Sequence, residues 1–145
     1  MREKINCILV IDDDEPTNFF TQILLEETGA VEHIVIQQSG QEALDYLQSA
    51  HEKGNDPSTP YPDLVFLDIN MPAMNGWEFL ELFKAAAKPF HPMVIMLTTS
   101  LFPKDLEKAI GIPEINGFEN KPLSIEKLQR IFLERFNIRI QDENQ

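Results

Sequence analysis

Short apolar runs alternate with amphipathic stretches of helical length along the chain, and this alternation constrains the fold more than any other feature. The apolar runs are INCILVI, HIVIQ, DLVFLD, MVIMLTT and the shorter NGFEN. They are nearly continuous instead of alternating with polar residues, which is typical of strands that are covered on both faces. Strands that alternate with helices are joined by parallel crossovers. We therefore predict an α/β fold, with a doubly wound parallel sheet of five strands and five helices.

The segments between these runs have the periodicity and the end signals of helices. In NFFTQILLEETG and SIEKLQRIFLERFN, apolar residues recur at intervals of three and four. Ser39 and Ser124 stand where N-caps are expected, because a serine hydroxyl can accept a hydrogen bond from an N–H of the first helical turn. Gly29 and Gly111 stand where the first and fourth helices are expected to end. These signals agree with five strand and helix pairs.

Length and cysteine content indicate one intracellular domain. At 145 residues the chain is large enough to fold without a disulfide or metal staple, and we expect one domain over 1–145 with a frayed tail over 138–145. Cys7 is the single cysteine and lies inside an apolar run, so we expect it to be buried in a protein from a reducing compartment. The polar, proline-rich segment around 54–62 predicts a surface loop.

The acidic composition excludes some classes of partner. The formal net charge of −12 disfavours binding to nucleic acid or to an anionic membrane, because both would repel the protein. No apolar run approaches the roughly 18 residues that a membrane span requires, and no signal-peptide stretch follows the amino terminus. We therefore expect a cytoplasmic protein whose partners are other proteins.

Polar side chains follow the predicted strands at the points where the strands end. Asp12 and Asp13 follow the first, Asp68 ends the third, Thr98 ends the fourth, and Lys121 follows the fifth. In an open parallel sheet these ends share one edge, where ligands bind. Three carboxylates at one edge would repel one another unless a cation joined them, and their oxygens suit Mg²⁺. The set predicts a magnesium site beside a carboxylate nucleophile that could form an aspartyl phosphate.

Four segments together resemble a known family. ILVIDDDEPTN, DLVFLDINMPAMNGWEFL, VIMLTTS and NGFENKPLSIEKL are similar, in this order and over nearly the whole chain, to the receiver domains of bacterial two-component response regulators, the CheY-like family. The resemblance implies a flavodoxin-like sheet in the order 2-1-3-4-5. The TTS after the fourth strand and the long connection before the third are also similar to single-domain receivers associated with phytochrome-type or hybrid kinases.

The resemblance also implies a role for each polar residue. Asp68 corresponds to the phosphoacceptor of the family, and Lys121 to its catalytic lysine. Asp13 corresponds to the direct Mg²⁺ ligand and Asp12 to the water-mediated one. The backbone carbonyl of Asn70 corresponds to the remaining protein ligand of the metal.

Further positions correspond to switching and to the lifetime of the phosphoryl group. Thr98 corresponds to the switch hydroxyl, and Phe118 to the switch aromatic residue that is a tyrosine in the best-known pattern; the alternative for Phe118 is a simple core residue. Asn70 and Ser100 correspond to positions that tune the attack of water on the aspartyl phosphate. Thr99 replaces a common alanine and is expected to narrow access to the phosphoryl group.

Some nearby residues have simpler interpretations. Asp14 is expected to lie at the amino terminus of the first helix, where an acidic residue is favourable. Trp77 is expected to open the third helix as a packing residue. His33, His51 and His91 share no spacing typical of metal ligands and are expected to be surface or packing residues.

The sequence thus predicts a stand-alone phosphorylation switch, and not an enzyme beyond its own phosphorylation and dephosphorylation. Its expected partners are a sensor histidine kinase or phosphotransfer protein and an unknown downstream protein, with homodimerisation through the fourth-helix face as a further possibility. A haloacid-dehalogenase-like phosphatase is disfavoured, because its D-x-D-x-T pattern would place a threonine where Pro16 stands. The remaining alternative is a receiver fold that acts as a binding module or phosphate sink without a phosphorylation switch.

Overall fold

The computed structural model describes residues 4–54, 56–86, 92–99 and 103–140. Over these residues five strands alternate with five helices, as the sequence predicts. The strands are β1 (Ile5–Ile11), β2 (Val31–Gln37), β3 (Leu64–Asp68), β4 (Met93–Thr98) and β5 (Ile115–Asn120). The helices are α1 (Glu15–Thr28), α2 (Gly40–Lys53), α3 (Gly76–Ala86), α4 (Pro103–Ile110) and α5 (Ile125–Phe136).

The strands form one parallel sheet in the order β2-β1-β3-β4-β5, which confirms the predicted order. The central strands β1, β3 and β4 are almost entirely buried, whereas the edge strands β2 and β5 are largely half-buried. This difference explains why the central runs read as continuously apolar. Helices cover both faces of the central strands, so neither face can present polar side chains without a partner.

Two apolar clusters hold helices on opposite faces of the sheet. In one, Leu25 of α1 and Phe132 of α5 pack with Val10 of β1. In the other, Leu47 of α2 and Phe79 of α3 pack with further residues of the central strands. The helix α4 contacts the edge strand β5. The doubly wound architecture is therefore as predicted, and α4 lies over the edge of the sheet.

The predicted helix ends are confirmed. The hydroxyl oxygens of Ser39 and Ser124 accept hydrogen bonds from N–H groups in the first turns of α2 and α5. Gly29 follows α1 in the left-handed region, with a φ of 64°, where glycine has no steric penalty. The helix α4 ends at Ile110, directly before Gly111.

The end of the chain differs from the prediction of a tail that frays from residue 138. Ile138 is buried in the cluster that holds α1 and α5, and its N–H donates to the carbonyl of Phe132. Ile140 also packs against this cluster. The apolar side chains therefore dock the start of the predicted tail, and residues 141–145 lie outside the described residues.

The segment around 54–62 is less exposed than a surface loop. Pro57 and Ser58 are exposed, but Thr59 and Pro60 are buried. The Tyr46 hydroxyl donates to the Pro60 carbonyl, which fixes the segment against α2. Cys7 is buried beneath it, as predicted, and burial raises the pKa of its thiol to about 12.

No helix in the described part of the chain is long and apolar enough to cross a membrane.

Candidate functional site

The strand ends bring the predicted polar residues together at one edge of the sheet. Asp12 follows β1, Asp68 is the last residue of β3, and Thr98 is the last residue of β4. All three side chains are buried, although each is polar. Lys121 follows β5, and its N–H donates to the carbonyl of Thr98 at 2.7 Å. The structure thus places these predicted residues at the same edge of the sheet.

Asp12 is held by three groups from different parts of the chain. The N–H of Asp14 donates to its Oδ1 at 3.0 Å, and the ammonium of Lys121 donates to its Oδ2 at 2.6 Å. The Asn18 side-chain amide donates to the Asp12 backbone carbonyl at 2.8 Å. Asp12 is only 1% exposed, so the bonds from Asp14 and Lys121 replace water around a buried carboxylate. The carboxylate is thereby fixed in position and orientation.

Lys121 connects two of the carboxylates. Its Nζ lies 2.6 Å from Asp12 Oδ2 and 3.3 Å from Asp68 Oδ1. Its side chain is 14% exposed, so water screens these ion pairs weakly. The ammonium of Lys121, the predicted catalytic lysine, thus pairs with both Asp12 and Asp68.

The electrostatics of the site favour an additional cation. Burial, followed by repulsion from Asp12, raises the pKa of Asp68 to about 6, although Lys121 and the backbone N–H of Asn70 act against this rise. Burial alone would lower the pKa of Lys121, but the carboxylates of Asp12 and Asp68 together outweigh it and raise that pKa. Negative charge therefore exceeds positive charge in this part of the molecule.

Three carboxylates lie close enough together to hold a metal ion. One oxygen from each of Asp12, Asp13 and Asp68 lies within 4.8 Å of the others. Asp13 is exposed, whereas the other two are buried, so the cluster opens to solvent on the side of Asp13. Hard oxygen donors at this spacing suit a small divalent cation that keeps some of its water. Asn70, whose carbonyl is a predicted ligand, is exposed beside the cluster.

The predicted switch residues lie on the side of the site nearest β5. Thr98 is 2% exposed at the end of β4. Phe118 is half-buried in β5, beside Met96, and packs against the cluster that holds α2 and α3. Thr99 is exposed. Ser100, a predicted lifetime-tuning residue, lies outside the described residues.

Asp14 has the helical role that was predicted for it. It is the N-cap of α1, and its Oδ2 accepts a hydrogen bond from the Thr17 N–H at 3.0 Å. A hydrogen bond from the Thr17 hydroxyl to the same oxygen, followed by the one from the Thr17 N–H, lowers the pKa of Asp14. The Asp14 side chain thus caps the helix, and the Asp14 backbone N–H donates to Asp12.

The tryptophan and the described histidines lie outside the carboxylate cluster. Trp77 lies in the first turn of α3, and the ammonium of Lys108 in α4 lies 4.7 Å from the centre of its ring. His33 in β2 is half-buried, His51 in α2 is exposed, and neither belongs to the carboxylate cluster. His91 lies outside the described residues.

Two residues at the site were missed by the sequence interpretation. Asn18 is buried in α1, and its side-chain amide donates to the Asp12 backbone carbonyl. An amide in an amphipathic helix has no sequence signal that distinguishes a site residue from an ordinary one. Gly76 opens α3, and a Cβ there would lie 2.9 Å from the Asp68 carbonyl oxygen and 3.0 Å from the Ile69 Cα. Glycine therefore permits the close approach of α3 to the strand end. The glycine was visible in the sequence, but the approach was not.

Comparison with known proteins identifies the family. The family model described as "Response regulator receiver domain" matches residues 8–132. The chain belongs to the response regulator receiver family. Receiver domains are phosphoacceptors of two-component signalling that interact with histidine kinases or phosphotransfer proteins and with downstream targets.

Individual receiver proteins support this assignment. The probable methanogenesis regulatory protein FilR2 of Methanothrix harundinacea (strain 6Ac) is 32% identical over 123 residues, which cover 85% of this chain and 76% of FilR2. The crystal structure of a two-component response regulator from Cytophaga hutchinsonii is 32% identical, with a TM-score of 0.83, over 93% of this chain and 99% of that one. The bacteriophytochrome response regulator AtBRR is 26% identical, with a TM-score of 0.73, over 98% and 99% of the two chains.

The chain covers a smaller share of some other relatives. The chain spans 22% of a protein-glutamate methylesterase/protein-glutamine glutaminase of Desulfotalea psychrophila and 61% of the response regulator Rcp1 of Synechocystis. The methylesterase activity is therefore that of a larger protein, of which this chain matches a minor part.

Proposed function

We propose that the chain is a phosphorylation switch in which Asp68 accepts a phosphoryl group from a phosphohistidine of a sensor histidine kinase or phosphotransfer protein. The observation that carries this proposal is the contact of Lys121 with both Asp12 and Asp68 at the shared edge of the sheet. Family membership supplies the class of reaction, and the geometry supplies the groups that would perform it.

The site fits Mg²⁺ as its cofactor. Three carboxylates face one ammonium, which leaves two negative charges unbalanced when all groups are ionised. Asp12, Asp13 and Asp68, with the carbonyl of Asn70, would hold the ion. When bound, Mg²⁺ supplies positive charge that stabilises the phosphoryl oxygens in the transition state.

The side chains themselves provide the remaining chemistry. With a pKa of about 6, Asp68 is mostly ionised at pH 7 and is therefore a nucleophile. One of its oxygens forms a bond to phosphorus as the bond from phosphorus to the donor's imidazole nitrogen breaks, and that nitrogen keeps the electron pair. Lys121 already lies 3.3 Å from Asp68, so its ammonium can contact a transferred phosphoryl oxygen after a small movement.

The phosphoryl group would change the conformation at the edge of the sheet. The Thr98 hydroxyl would donate a hydrogen bond to a phosphoryl oxygen, and Phe118 would turn inward as the end of β4 shifts. Shifting a two-state element from 1:99 to 99:1 takes about 5.5 kcal/mol of differential interaction. Two or three charge-assisted hydrogen bonds, each worth about 1.5–3 kcal/mol, would supply it. Asn70, Thr99 and Ser100 would set how long the switch stays phosphorylated.

The output would be a changed protein-binding surface formed by α4, β5 and α5. A downstream protein or a second copy of the chain would bind there. AtBRR is described as a bacteriophytochrome response regulator, which supports a phytochrome-type kinase as a candidate phosphodonor for this chain. The net charge of −12 supports protein partners over nucleic acid.

Intact mass after incubation with acetyl phosphate tests this proposal. The wild type should gain one phosphoryl group in the presence of Mg²⁺ and none after chelation, and Asp68→Asn should gain none. Asp14→Asn is the matched control, because it removes a neighbouring carboxylate and asparagine preserves the N-cap. It should be phosphorylated like the wild type.

Absence of an adduct on the folded wild type would contradict the switch and favour a binding module that acts without phosphorylation. An adduct that persists in Asp68→Asn would place the modification on another residue.

A further inference from the structure

The first turn of α5 contains a cation where helices favour an acidic residue. Ser124 is the N-cap, and its hydroxyl accepts a hydrogen bond from the N–H of Lys127, the third residue of the helix. The partial positive charge of a helix amino terminus repels a lysine at this position. The lysine therefore contradicts the local preference of the helix, which suggests a function elsewhere in the fold.

Two other helices of the protein, α2 and α3, follow the usual preference at the equivalent position. In α2, Glu42 stands three residues after the N-cap Ser39, and its carboxylate accepts a hydrogen bond from the preceding backbone at 3.2 Å. Before α3, Asn75 and Glu78 exchange two hydrogen bonds of 2.9 Å, which form a capping box. These acidic side chains return to backbone N–H groups, whereas a lysine can only donate to carbonyls.

Lys127 reaches the loop that connects β5 to α5. Its Nζ donates to the carbonyl of Asn120 at 2.8 Å and to the carbonyl of Pro122 at 2.9 Å. These two carbonyls flank Lys121 on either side. One ammonium therefore fixes the backbone before and after the residue that pairs with Asp12 and Asp68.

The position of this backbone decides where the Lys121 ammonium lies. A lysine side chain has several rotatable bonds, so its head is placed reproducibly only if its backbone and its partners are fixed. The partners Asp12 and Asp68 lie at the ends of buried central strands, whereas β5 is an edge strand. The Lys121 N–H is bound to the Thr98 carbonyl on the side of the sheet, and Lys127 secures the loop from the side of α5.

We propose that Lys127 is a positioning residue for Lys121. It holds the loop so that the Lys121 ammonium meets the transferred phosphoryl group without a search of conformations. This inference rests on the proposed function for its catalytic consequence, but its structural part, the restraint of the loop, can be measured independently.

The catalytic part is tested by the rate of phosphorylation of the full chain from acetyl phosphate at saturating Mg²⁺. Lys127→Met, which keeps most of the unbranched side chain but removes its donors, should slow the reaction about tenfold, because it removes both charge-assisted hydrogen bonds that restrain the loop. Lys127→Arg should restore the rate to within about twofold, because a guanidinium also donates to two carbonyls. The exposed Lys53 in α2 provides the charge-matched control, and Lys53→Met should react like the wild type.

The structural part is tested by amide hydrogen exchange. In Lys127→Met the Lys121 amide should exchange about tenfold faster, while the amide of Phe66 in β3, which reports global opening, should be unchanged. Lys127→Arg should protect the Lys121 amide like the wild type.

The possible outcomes separate the two claims. Faster exchange with a wild type that accepts no phosphoryl group would preserve the positioning role and overturn the proposed function. Unchanged exchange at Lys121, or equal acceleration at Lys121 and Phe66, would overturn the positioning role. If the wild type is phosphorylated, a rate in Lys127→Met equal to that of Lys53→Met would also overturn it.

Discussion

The acidic half of the site and the output half are built differently. Asp12 and Asp68 end the central strands β1 and β3, and both carboxylates are buried and paired with Lys121. The proposed output half includes β5, an edge strand that is largely half-buried, and α4, an eight-residue helix that contacts it.

This difference indicates which part of the molecule holds its position and which part can move. Elements with many buried apolar contacts open only with the whole domain, whereas lightly packed elements open locally. A ligand bound at the acidic half would therefore leave the central strands in place. The same ligand, through Thr98 and Lys121, would act on the less buried edge of the sheet.

Removal of Lys121 should have the largest effect on the acidic half. In metal-free buffer at pH 7, Lys121→Met should lower the free energy of unfolding by about 3 kcal/mol, because it leaves two buried carboxylates without their cation. Urea unfolding measures this effect. Mg²⁺ should restore part of the loss.

The matched control is a surface ion pair. Lys84 lies 3.3 Å from Glu81 with both side chains well exposed, and Lys84→Met should cost less than about 1 kcal/mol. Equal losses for Lys84→Met and Lys121→Met would contradict the distinction between a buried and a screened pair.

The pH dependence of stability should reveal the charge excess at Asp68. Its folded-state pKa of about 6 lies above the ordinary 3.8, so the folded protein binds this proton more tightly than the unfolded chain does. The resulting stability is present below about pH 4 and is lost as pH rises to about 6. Asp68→Asn stays neutral, so without metal it should equal the wild type near pH 4 and exceed it by about 2–3 kcal/mol at pH 7.

Urea titrations of both proteins between pH 4 and pH 7 check this expectation. Parallel curves for the two proteins would show that the carboxylate is not destabilised in the folded state. Mg²⁺ should narrow the difference at pH 7, because it supplies the missing positive charge.

Glycine substitutions compare the packing of the two halves directly. In Gly76→Ala the new Cβ would approach the Asp68 carbonyl and the Ile69 Cα, which are backbone atoms and cannot turn away, so a loss of about 2 kcal/mol is expected. In Gly111→Ala, after α4, the Cβ would lie 3.7 Å from the Lys108 carbonyl, an ordinary contact. Thermal unfolding should show a clear shift for Gly76→Ala and almost none for Gly111→Ala. The reverse order would contradict the assignment of the tighter packing to the acidic half.

The smallest expected effect concerns the attachment of α4. The Lys108 ammonium lies over the ring of Trp77, and Lys108→Met should cost about 0.5–1 kcal/mol. Because Trp77 is the single tryptophan, its fluorescence reports this contact directly. Lys104→Met, on the same helix, is the control and should leave the emission unchanged. An emission spectrum unaffected by Lys108→Met would show that the cation does not restrain α4.

Most of the fold could be predicted from the sequence because its signals are local. The periodicity of the segments identified the strands and helices, and Ser39, Ser124 and Gly29 marked helix ends through bonds within one turn. The strand order came from the family resemblance, since spacing alone does not specify which strands are neighbours. The tail prediction was wrong at Ile138, because its burial depends on the cluster between α1 and α5.

The sequence by itself determined which polar residues end the strands, and therefore which groups could meet at one edge of a parallel sheet. The tertiary structure decided how they meet. It pairs Lys121 with Asp12, 109 residues away, and it raises the pKa of Asp68. It also brings Lys127 to the loop between β5 and α5. Caps and periodicity depend on neighbours within a few residues. Ion pairs and pKa values depend on distances and burial, which exist only after the strands and helices have packed.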